Sequence, residues 1–110
     1  MNAYTLQING KDYRLKLPTR MVVTLEDRIG SNPLAIFDSD GIPKVKDMML
    51  IFHAALQPYN HSISLTDTYD LFDAYLEEGH ALPDFVTVIM EIFRSSGLIA
   101  SVAEEEEAKN

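Results

Sequence analysis

The stretch Tyr4-Thr5-Leu6-Gln7-Ile8-Asn9-Gly10-Lys11-Asp12-Tyr13-Arg14-Leu15-Lys16-Leu17 decides how the rest of the chain must be read. Apolar and polar residues alternate on both sides of Asn9-Gly10, and a period of two gives a strand one dry face and one wet face. Asn and Gly tolerate the positive φ that a two-residue type I′ turn needs. A loop of that length pairs Ile8 with Lys11, Leu6 with Tyr13 and Tyr4 with Leu15, so the large apolar side chains share one face. An isolated hairpin is marginal in water. Its apolar face has to be covered by the remainder of the chain.

Beyond Leu17 the pattern changes to helix. Pro18-Thr19 offers Thr19 as an N-cap. Residues 20–29 carry Met21, Val22, Leu25 and Ile29 on one stripe, and Gly30 is the left-handed stop. Ser31-Asn32-Pro33 breaks the pattern, Leu34-Ala35-Ile36-Phe37 is an apolar run that suits one helical turn, and Asp38-Ser39-Asp40-Gly41 is a loop. Pro43 suits a first helical turn. Val45, Met48, Met49, Phe52, Ala55 and Leu56 then recur at helical spacing until Pro58, whose predecessor avoids the helical region. Ser64-Leu65-Thr66-Asp67 resembles a capping box with Asp in place of Glu. It starts a stripe of Leu65, Tyr69, Leu71, Phe72, Tyr75 and Leu76 that Gly79 closes. Leu82-Pro83-Asp84 opens a last helix, which Gly97 ends. Phe85, Val86, Val88, Ile89, Ile92 and Phe93 spread around much of its circumference, which predicts a central position. The expected fold is α+β, mostly α: an N-terminal β-hairpin over residues 1–17 packed on a bundle of about four helices over 18–97. Together they form a single globular domain over 1–102, followed by a flexible, disordered acidic tail over 103–110.

Composition bounds the function. A chain of 110 residues with 46% apolar and 24% charged residues supports one domain with a real core. The absence of cysteine excludes disulfides, thiolate zinc sites and a cysteine nucleophile, and it suits a reducing compartment. The first residues lack the basic and apolar regions of a secretory signal. No apolar run is long enough to span a membrane. The net charge of −8 argues against nucleic acid and against an anionic membrane surface, although half of it comes from Glu104, Glu105, Glu106 and Glu107 in the tail.

No motif carries catalysis. His53, His61 and His80 show no i,i+3 or i,i+4 pair that would put two imidazoles on one helix face. Asp38-Ser39-Asp40-Gly41 fails the calcium-loop pattern, because neither the glycine nor the closing acid falls at the required position. Asp70, Asp73 and Glu77 share a helix face. Such a row can bind a cation or work as acid and base, but it is more commonly the wet side of an amphipathic helix. There is no glycine-rich phosphate loop and no Gly-x-Ser-x-Gly elbow. Met48, Met49 and Met90 lie on apolar stripes, where core packing is their commoner role. The expectation is a non-enzyme with no cofactor and no metal.

Three features together resemble the small tail assembly chaperones of long-tailed bacteriophages. The first is the strand–Asn-Gly-Lys–strand opening. The second is Leu25-Glu26-Asp27-Arg28-Ile29-Gly30 followed by Asn32-Pro33-Leu34. The third is the order of the remaining helices: one ending near Ala54-Ala55-Leu56, one holding Asp70-Leu71-Phe72-Asp73-Ala74-Tyr75, and one ending near Ser96-Gly97-Leu98. The likeness runs from the hairpin to about Gly97. It implies a protein that binds the long, aggregation-prone tape measure protein in the cytoplasm of the infected bacterial cell. Such a protein helps tail tube subunits assemble around the tape measure and is absent from the finished virion. Tail tube protein is thus a second partner by implication, and self-association is compatible with the family. The ending over residues 103–110 resembles the unshifted form of genes that carry a frameshift.

A holdase needs apolar surface to lay against amphipathic helices of its client. Leu34, Ile36, Phe37, Ile63, Leu98, Ile99 and Val102 fall outside the clean helical stripes and are the candidate partner-binding residues. Leu98, Ile99 and Val102 have two readings, a segment docked back on the body or one used on a partner. Rival functions are a structural tail or head-completion protein, a small host protein-binding regulator and, last, a small enzyme.

Overall fold

The computed structural model describes residues 3–38 and 40–100. Strands β1 (Tyr4–Ile8) and β2 (Lys11–Leu15) form an antiparallel hairpin, followed by helix α1 (Thr19–Ile29), a 3-10 turn (Pro33–Phe37), and helices α2 (Val45–Leu56), α3 (Leu65–Glu77) and α4 (Leu82–Ser95). The hairpin register is Tyr4 with Leu15, Leu6 with Tyr13 and Ile8 with Lys11. Asn9 at φ 52° and Gly10 at φ 76° make the turn, which places Leu6, Ile8, Tyr13 and Leu15 on the buried face. The strand geometry stops at Leu15, and the chain then plugs into the helices. Lys16 N–H donates to the Ala55 carbonyl at 3.1 Å, and Leu17 N–H donates to the buried Ser96 Oγ at 2.8 Å.

Helix α2 is the hub. It packs on α1, the 3-10 turn, α3, α4 and β2. From Met48 to Leu56 only His53 escapes full burial. This corrects the sequence expectation that α4 is the central helix. Both helices are rich in large apolar residues. Two of the positions that α2 buries are Ala54 and Ala55, however, and small side chains let neighbouring backbones approach from more sides. Phe85 of α4 anchors the aromatic part of the core, with its ring 4.8 Å from Phe72, 5.2 Å from Phe52 and 5.4 Å from Tyr75, all edge to face. Burying an aromatic or aliphatic side chain of this size contributes about 1.5–3 kcal/mol.

Helix ends follow their local chemistry, with two corrections. Thr19 is the first helical residue and caps nothing; the Pro18 carbonyl before it accepts from Met21 and Val22 N–H. Pro43 lies ahead of α2, whose flanking residue is Lys44. Ser64 and Asp67 form the expected reciprocal box, at 3.0 Å in each direction. Asp84 accepts from Ala81 N–H at 2.7 Å and so completes half of the same arrangement at the start of α4. At the end of α4, Leu98 N–H returns to the Phe93 carbonyl and Gly97 N–H to Arg94, the paired bonds of a Schellman stop, with Gly97 at φ 79°.

Two stripe assignments are also corrected. Val45 and Tyr69 are exposed, at 43% and 45%. Thr68 takes the interior position beside Tyr69 and satisfies its hydroxyl on the Ser64 carbonyl at 2.9 Å. Val102 and the acidic residues 103–110 lie outside the described residues.

Candidate protein-binding groove

Helices α2 and α3 pack against each other but leave a groove at the N-terminal turn of α2. Val45, Lys46 and Met49 line one wall and Tyr69, Phe72 and Asp73 the other, around a volume of about 350 Å³. Met49 and Phe72 belong to the core and form a dry floor. Val45 and Tyr69 stand exposed above it. Local geometry explains the opening. Val45 is the first residue of α2, so no preceding turn of helix covers it. Tyr69 follows Thr68, and one helical step of about 100° turns it from the core to the rim. The groove therefore offers apolar side chains on both walls with one charge of each sign beside them.

A second groove, of about 400 Å³, separates the hairpin tip from the opposite side of α3 and is more polar. Lys11 Nζ sits 5.2 Å over the Tyr13 ring, and Ile63, Asp67, Asp70 and Leu71 complete the lining. Asp67 is already committed. Its hydrogen bonds from Ser64 hold its carboxyl below the usual carboxylate range. Helix α3 is thus a ridge between two grooves, with Asp70, Asp73 and Glu77 exposed along it. Among the described residues none of the three makes an ion pair. Nor does any group of three or more His, Asp or Glu side chains among the described residues come together as a metal cluster would.

A family model matches residues 1–109 of the chain. The chain belongs to DUF6096, a family of unknown function. No curated protein and no solved structure matches it.

In this DUF6096 member the candidate partner-binding residues are distributed unlike the exposed groove. Ile36 is 9% exposed and belongs to the core. Leu34, Phe37, Ile63, Leu98 and Ile99 are half-buried and pack against that core. Phe37 meets Phe93 edge to face at 5.7 Å. The described part of the C-terminal apolar segment, Leu98 and Ile99, is docked back on the body. Of the six, Ile63 lines one of these two grooves, the polar one. Val45 and Tyr69, which sequence patterning assigned to the core, both line the apolar groove. Spacing alone gave no signal for Tyr69, since Leu65, Tyr69, Phe72 and Leu76 recur at i, i+4, i+7 and i+11.

Three further titratable groups are shifted by their surroundings. His53 is half-buried, and burial with the nearby Arg28 charge holds its imidazole below its ordinary value, against the opposing hydrogen bond at Ile63. Tyr75 stacks on His80 at 4.2 Å, and burial, Asp84, Tyr4 and Glu78 push its phenol up to about 12. Burial, with Glu91 behind it, also raises Tyr4. Glu78 lies 3.7 Å from His80 and accepts from Asn9 N–H, so it ties the hairpin turn to the end of α3. Among the described residues no helix is long and apolar enough to cross a membrane.

Proposed function

We propose that this chain is a non-catalytic tail assembly chaperone. It binds the tape measure protein in the cytoplasm of an infected bacterium, promotes tail tube assembly around it, and is left out of the finished virion. The order of hairpin and helices, with Leu25-Glu26-Asp27-Arg28-Ile29-Gly30 in its place, supports the resemblance behind this reading. One observation carries the binding role: the α2–α3 groove, where Val45 and Tyr69 stand exposed over Met49 and Phe72. A groove of that character suits the apolar stripe of a client helix, read at i, i+3, i+4 and i+7. Modest affinity per site gains strength when several copies line one long client. A net charge of −8 keeps such a complex soluble.

Co-expression with a tape measure protein is the test. The client becomes soluble and co-purifies at low salt, and mass spectrometry of purified particles finds none of this chain. A client that stays insoluble with no complex overturns the proposal. Finding the chain in particles favours a structural tail component instead.

A further inference from the structure

We propose that the partner helix seated in the α2–α3 groove is basic, with Lys or Arg along the flank that faces α3. The inference rests on the protein-binding reading of that groove and adds the partner's charge.

Helix α3 contains no Lys or Arg, and Asp70, Asp73 and Glu77 are exposed on it, three and four residues apart. That spacing sets them in one row. Asp73 lines the apolar groove itself, between Tyr69 and the end of the helix. None of the three pairs with a described cation, so their charge is available to a partner. The opposite wall carries Lys46. A helix lying in the groove therefore meets Asp73 on α3, with exposed Glu77 one turn further along, and Lys46 on α2. The asymmetry specifies which way its charged sides face.

Two alternative occupants fit less well. A second copy of this chain would bring its own net charge of −8 toward the same row. An acidic or uncharged client helix would approach Asp73 and Glu77 without compensation. Like-charge juxtaposition is disfavoured, and opposite charges steer encounter and fix register. The apolar walls provide the adhesion and the row of carboxylates selects the partner.

The full chain is titrated into two labelled synthetic helices that share a Leu stripe at helical spacing. One carries Lys along one flank and the other carries Glu there. Fluorescence anisotropy should show the Lys helix binding about tenfold more tightly at low salt, with the advantage shrinking as salt rises. Val45→Asp and Tyr69→Asp should abolish binding of both helices while leaving the circular dichroism spectrum unchanged. Asp73→Lys combined with Glu77→Lys should reverse the preference. Equal binding of the two helices, or a preference that survives the charge reversal, overturns the inference. A tape measure protein solubilised by a chain that shows no Lys preference refutes the basic partner and leaves the chaperone reading standing. A Lys preference beside an insoluble tape measure protein does the opposite.

Discussion

The two ends of the helical body handle apolar surplus in opposite ways. At the C-terminal end of α4, Leu98 and Ile99 fold back on the core, Gly97 turns the chain, and Ser96 closes the joint by accepting from Leu17 N–H. At the N-terminal turn of α2, among the described residues, nothing folds back, and Val45 and Tyr69 are exposed on either side of a groove. The sequence presents them differently: Leu98 and Ile99 form a short apolar stretch past a helix stop, whereas Val45 and Tyr69 fall on helical stripes. What separates them in the structure is the turn at Gly97, where the Leu98 N–H bond to the Phe93 carbonyl brings the segment back onto the core. A docked segment contributes stability, whereas an open one is free to contribute affinity.

That contrast can be broken first at the core both regions share. Phe85→Ala removes the ring that meets Phe52, Phe72 and Tyr75 and should cost about 3–5 kcal/mol in urea denaturation. A loss under about 1 kcal/mol would mean the aromatic cluster does not hold α3 to α4. Next is the closed end. Ser96→Ala strands the buried Leu17 N–H and should cost about 1–3 kcal/mol, measured the same way. Ser64→Ala removes one half of the box that starts α3 and should cost about 1 kcal/mol, with faster amide exchange in the first turn of that helix. At the open end the expected effect on stability is smallest. Tyr69→Ser should change it by no more than about 0.5 kcal/mol. A larger loss would place Tyr69 with the core residues and remove the contrast.

Alkali sharpens the comparison from another side. The Tyr75 phenol is raised from its ordinary value of 10.0 to about 12, so the folded state keeps its proton after the unfolded state has lost it. Its contribution is complete below the unfolded value and is lost as pH rises through the folded one. Stability should therefore fall between about pH 10 and pH 12, and the fall should be shallower in Tyr75→Phe. Absorbance titration should show the Tyr75 phenol ionising at about 12, a late step that Tyr75→Phe removes.

The hairpin was legible down to its register, because Asn9-Gly10 leaves one loop length and period two leaves one face. The capping box at Ser64 and the stop at Gly97 were legible for the same reason, since each is set by residues a few positions apart. The hub role of α2 was not. It depends on Ala54 and Ala55 lying under neighbours that arrive from distant parts of the chain. The groove was the least legible feature. Periodicity placed Val45 and Tyr69 on apolar stripes, and whether the edge of a stripe is covered depends on where its neighbour ends. Leu34, Ile36, Phe37, Leu98 and Ile99 failed the periodicity test for the opposite reason. They lie in a 3-10 turn and beyond a helix stop, where core residues follow no helical period.

The central claim is that the exposed α2–α3 groove, rather than the closed end of α4, meets the client. Hydrogen–deuterium exchange on the chain with and without a tape measure protein tests it most directly. The account predicts new protection over residues 45–49 and 69–73, with residues 34–37 and 93–99 unchanged. Protection confined to the second pair of segments, with the groove exchanging as before, would contradict it.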